Sequence, residues 1–134
     1  MIHISVESLK DLPSRLEYLK KFISFTDDDA AALHAAAPVV SPLVPAAVDA
    51  VYVKLFTFDI TTKSFLPRQS GYVGKTPNGV SDLALDHPMI QFRKDFLTGY
   101  LKKLVTMDYK KFQSWEYMDK VGLMHTGKAG FSHR

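Results

Sequence analysis

Apolar residues in this chain recur every three or four positions, with almost no strand-like alternation, and that period confines the fold to packed helices. It is clearest after Pro88, where Phe92, Phe96, Tyr100 and Leu104 fall four apart with Leu97 and Leu101 beside them. This predicts a helix to about Val105. Ser14 and Glu17 have capping-box spacing, and Leu16, Leu19 and Ile23 then share a face that Tyr18, Phe22 and Phe25 widen, so a first helix is expected over 14–25. Thr26 before Asp27, Asp28 and Asp29 reads as an N-cap with acids in the first turn, opening a second, short helix that ends at Pro38. Ser41 and Pro42 open a third, with Val44, Val48, Val51, Tyr52, Leu55 and Phe56 on one face and Pro45 early enough to be tolerated. Residues 67–88 carry three prolines, three glycines and an Asn-Gly pair, the signature of a long irregular connection. Ser114 caps the last helix, whose Met118, Val121 and His125 share a face with Met124 adjacent. The expected fold is all-α, in a single domain over 1–134.

Composition narrows the chemistry. The 134 residues are 46% hydrophobic and 23% charged, ordinary values for one globular domain. Cysteine is absent, which removes disulfides, thiolate metal sites and a thiol nucleophile, and leaves His, Asp, Glu or Tyr to hold any metal. The apolar run "AAAPVVSPLVPAAV" is cut by prolines and built of small residues, so no membrane span is expected. The N-terminus lacks a signal-peptide pattern, which places the chain in the cytoplasm. A net charge of +3, with Lys and Arg interleaved among acids, does not call for a nucleic-acid partner. "DDD" at 27–29 reads as a charged helix start and "LKKLVTMDYKKF" as a solvated surface. His3, His34, His87 and His133 are scattered without zinc-site spacing. No hydrolytic or nucleotide-binding motif is present, so no conventional enzyme is expected.

His125 stands on an apolar face at the end of a helix, one turn from Gly127. On periodicity alone it reads as a hydrogen-bonded packing residue; the sharper reading is an axial haem ligand. Haem needs one imidazole nitrogen, an apolar slot and an opposite face that sets ligand access. The aromatic stripe Phe92, Phe96 and Tyr100 on one helix, Tyr52 on another and His125 on a third supply these parts.

The run "RLEYLKKFISFTDDDAAALHAAAPVVSPLVPAAVDAVYVKLFTFD" resembles the opening of the protoglobin and globin-coupled-sensor family. The matching positions are Arg15, Tyr18 and Phe22, then Phe25 with Thr26, then Val48, Asp49 and Tyr52. "YMDKVGLMHTG" is similar to that family's proximal-histidine helix through Val121, Gly122 and His125. The resemblance runs from about Arg15 to Gly127, with both motifs in order, and "FDITTKSFLPR" with the long connection looks most like the family's fungal variants. It implies a globin-like fold with an extra N-terminal helix and haem b held by His125. It also implies a distal Tyr52 whose hydroxyl donates to bound oxygen, and a wall of Phe56, Phe92, Phe96, Leu97 and Tyr100, with Val121 and Met124 beside the histidine. For Tyr52 the alternative is a core ring with its hydroxyl at the surface.

Members of that family continue past the proximal histidine into two further helices, whereas this sequence ends at "KAGFSHR". The expectation is therefore a C-terminally truncated globin domain that covers its apolar faces by forming a homodimer or larger assembly. Its function would be to bind a diatomic gas (O2, CO or NO), for sensing or carriage. The alternatives are a haem-free fragment acting as a dimerisation or interaction module, and incidental redox chemistry at the haem.

Overall fold

The computed structural model describes residues 1–126; Gly127, His133 and the "KAGFSHR" stretch lie outside that range. Among the described residues there is no strand. After a 3-10 turn at Glu7–Lys10 come α1 (Leu12–Phe22), α2 (Asp27–Leu55), α3 (Asp59–Lys63), a second 3-10 turn at Val80–Asp82, α4 (Pro88–Thr106) and α5 (Phe112–His125).

α1 starts earlier than Ser14. Asp11 is its N-cap and accepts from the Ser14 backbone N–H at 3.0 Å and the Ser14 hydroxyl at 2.8 Å, which hold its carboxyl below the ordinary value. The helix stops because Ser24 adopts a left-handed φ of 56°. Ser24 N–H then bonds Lys21 O and Phe25 N–H bonds Lys20 O, the paired closure usually made around glycine.

The expected break near Pro38 does not occur, and the second and third predicted helices are one 29-residue helix, α2. Its capping box is complete: Thr26 N–H and Oγ1–H reach Asp29 Oδ2 at 2.7 and 2.8 Å, while Asp29 N–H returns to Thr26 Oγ1. Pro38, Pro42 and Pro45 lie at i, i+4 and i+7, and all three are exposed. A helical bond left unmade on an exposed face can be replaced by hydration, which lowers the cost of these prolines. The adjacent stripe, Val44, Val48 and Tyr52, is buried and packs on α4. Val51, expected on that stripe, is exposed. Joined in this way, α2 is long and apolar enough to cross a membrane by length and composition.

Two clusters make the core of the described chain. Val44, Val48 and Tyr52 meet Leu83, Met89 and Ile90, with Phe56, Phe65, Leu66, Tyr72, Leu85, Leu97 and Leu101 around them. Leu16, Tyr109 and Trp115 form the second, with Phe25, Leu33, Met107 and Met118 packed on it. The irregular connection is tied down rather than loose. Tyr72, Leu83 and Leu85 pack into the first cluster, as do Phe65 and Leu66 just before the connection, and Arg68 Nη1 donates to the carbonyls of Tyr72 and Gly74. Gly71 supplies the positive φ of 81° that turns this segment against Phe92.

Candidate functional site

α4 presents its core face through Ile90, Leu97, Leu101 and Val105, so the aromatic stripe of Phe96 and Tyr100 is turned to one side of the α2–α4 contact. There it meets the end of α5. Between them lies a cavity of about 410 Å³, within the usual range for a small-molecule site. Its wall is Tyr52 from α2, Phe96, Leu97, Tyr100 and Arg93 from α4, and Val121, Met124 and His125 from α5. Ser64, Phe65 and Gln69 from the segment after α3 complete it.

Most of the residues singled out in the sequence are therefore brought together: Tyr52, Phe96, Leu97, Tyr100, Val121, Met124 and His125 share one wall. Phe56 and Phe92 stand outside it. Phe56 stacks on Phe65 at 5.8 Å between ring centroids, and Phe92 packs against Tyr72 at 5.5 Å. Phe56 is one step removed, touching a wall residue rather than the space itself, whereas Tyr72, which Phe92 meets, is itself outside the wall. Four residues in the wall were not foreseen: Ser64, Phe65, Gln69 and Arg93.

His125 ends α5 with its Nδ1 2.8 Å from Val121 O. A carbonyl oxygen only accepts, so Nδ1 carries the hydrogen and the lone pair of the neutral ring is on Nε2. Tyr52 is 6% exposed, and burial pushes its hydroxyl pKa up, with the nearby Arg93 charge pulling the other way. It is thus a protonated hydroxyl throughout the neutral range. Its ring packs on Phe65 at 5.5 Å, and Lys94 Nζ sits 5.9 Å over it while pairing with Asp49 Oδ1 at 2.9 Å.

Arg93 is the unusual member. It is 7% exposed; its Nη2 donates to Pro67 O at 2.9 Å and its Cζ lies 5.3 Å over the Phe65 ring. Burial lowers its pKa, although a guanidinium stays charged under any ordinary condition. Its Nε and the Oε1 of Gln69 are buried polar atoms with no hydrogen-bond partner among the described residues. Such atoms are rare in a finished interior and ask for a ligand or solvent.

The other candidate signals resolve as structure. Asp29 closes the α2 cap, His34 Nε2 meets Met107 O at 2.8 Å, and His87 caps α4 through Nδ1. Among the described residues no three His, Asp or Glu side chains gather as a metal cluster, a count that a single axial histidine would not enter.

A family model described as Protoglobin matches residues 12–134 of the chain. Searches of curated proteins and of solved structures return no match.

Proposed function

The chain belongs to the protoglobin family, a globin-like all-α fold, and from that premise we propose that its cavity binds haem b and through it a diatomic gas. The observation that carries this reading is that His125 and Tyr52, far apart in sequence, line the same largely apolar cavity. The donor set suits the group. A ring whose Nδ1–H is committed to Val121 O offers Nε2 as the ligating nitrogen and fixes its orientation, the usual arrangement of a metal-bound histidine. The walls of Phe96, Leu97, Tyr100, Val121 and Met124 would flank the porphyrin, and Phe65 would close its edge. Haem would supply the iron at which O2, CO or NO binds. Tyr52, kept protonated by burial, would donate its hydroxyl hydrogen to the gas and exclude water from that side. Sensing or carriage, rather than turnover, is the role assigned, in a cytoplasmic domain.

Self-association belongs to the same reading. Phe22 (72% exposed), Ile23, Val39 and Leu43 leave apolar surface on α1 and α2, which a second copy would cover in a homodimer or larger assembly. Light scattering tests this: a monomer at all concentrations, with haem bound, opposes it.

The absorption spectrum tests the main proposal. The purified chain with haemin should give a sharp Soret band that shifts on reduction and again under carbon monoxide, and His125→Ala should abolish it. A broad band unaffected by that substitution would overturn the assignment and favour a haem-free interaction module.

A further inference from the structure

We infer that Arg93 makes the cavity a binding site for a small monoanion, which accepts a hydrogen bond from the guanidinium. The wall contains no aspartate or glutamate, and among the described residues no carboxylate pairs with Arg93. Lys94, its neighbour on α4, is compensated by Asp49 at 2.9 Å, so the guanidinium is the uncompensated cation beside Tyr52. An unpaired charge held at 7% exposure is costly to a fold and persists where something else repays it.

Geometry adds the direction of the deficit. Of the guanidinium's donors, Nη2 is spent on Pro67 O, while Nε is buried, without a partner, on a residue of the cavity wall. The Phe65 ring lies 5.3 Å from Arg93 Cζ and 5.5 Å from the Tyr52 ring centroid, so both polar side chains flank the same aromatic. An anion there would take a guanidinium N–H and have the protonated Tyr52 hydroxyl within the same cavity. The space suits a small inorganic anion or a single carboxylate group, since most of the remaining wall is apolar and Ser64, Gln69, Tyr100 and His125 are its other polar members.

The site goes beyond haem binding in that the chain's own residues form it, and it deepens that reading because both share one cavity. The test therefore has two arms. In the haem-free chain, thermal unfolding is followed against sodium azide at constant ionic strength for wild type, Arg93→Met and Arg93→Lys. The wild-type midpoint should rise with azide, Arg93→Met should bind it about tenfold or more weakly, and Arg93→Lys should fall between. Arg93→Met should fold at least as well as wild type without azide, because it removes a buried unpaired charge and keeps the stem. No rise in wild type, or an equal rise in Arg93→Met, overturns the proposal. In the haem-loaded ferric chain, azide titrated by absorption should weaken in Arg93→Met by a similar factor, while carbon monoxide affinity of the reduced form, a neutral ligand, stays within about twofold. Unchanged azide affinity together with faster loss of porphyrin from Arg93→Met overturns the free-anion site and gives Arg93 to a porphyrin carboxylate instead. A chain that takes up no haem defeats the gas-binding reading and leaves the first arm to decide on the anion.

Discussion

Tyr52 sits in the core cluster and in the cavity wall at once, so its ionisation is coupled to folding. Burial raises its pKa above the ordinary value of 10.0, and burial does the same for Tyr109, which packs between Phe25 and Trp115. With the folded value above the unfolded one, the native state holds the proton more tightly. That stability is fully present below the unfolded value and is lost as pH rises through the folded one. Urea midpoints should therefore be flat near neutral pH and fall steadily above about pH 10, and Tyr52→Phe should flatten part of that fall. A profile unchanged by Tyr52→Phe would mean the hydroxyl is solvated in the native state. Met89 and Ile90, both 0% exposed, make a separate demand, one of packing alone. Met89→Ala should cost about 2–5 kcal/mol by leaving a void where α4 meets α2, read as a lowered denaturation midpoint.

At the scale of the element, α2 shows what local signals carry and where they stop. Thr26 with Asp29 was readable as a cap because capping is a contact between residues three apart; Thr26→Ala should lower stability by about 1 kcal/mol. Pro38, with Ser41 and Pro42 read as a new helix start, predicted a break that the chain does not make, because the common exposed face of the prolines and the buried Val44–Val48–Tyr52 stripe are properties of the packed molecule. Pro42→Ala should accordingly stabilise the protein by about 1–3 kcal/mol, restoring a donor to the helix on its solvent side, and calorimetry would read it as a higher midpoint. The site divides in the same way. Tyr52, Leu97 and His125 were legible since each sits on an apolar helical face. Arg93 was passed over, although its position three after Ile90 and four before Leu97 puts a cation on the core side of α4, and that conflict was the available signal. Ser64, Phe65 and Gln69 had no such signal, for an irregular segment has no period from which an inward direction can be read.

In the whole molecule, the cavity depends on how α5 is held, and α5 is held by residues remote from His125. Trp115 is 5% exposed, donates its indole N–H to Tyr109 O at 2.8 Å, and meets Phe25 edge-on at 5.3 Å. Three turns of helix separate it from His125, so the cluster of Leu16, Tyr109 and Trp115 anchors the start of the helix whose end carries the histidine. A second tether runs from Arg15, which joins Leu9 O and Asp119 Oδ1, both at 2.9 Å, and so ties the N-terminal turn to α5. That pair is partly exposed and should contribute no more than about 1 kcal/mol. Trp115→Phe is the sharper probe. It keeps much of the packing but leaves a buried carbonyl without its donor, a loss of about 1–3 kcal/mol. Because the residue does not line the cavity, a haem off-rate that rises as the midpoint falls would show that α5 docking and cavity formation are one event. An unchanged off-rate with a lowered midpoint would mean instead that the cavity end of α5 is positioned by Val121 and its contacts alone.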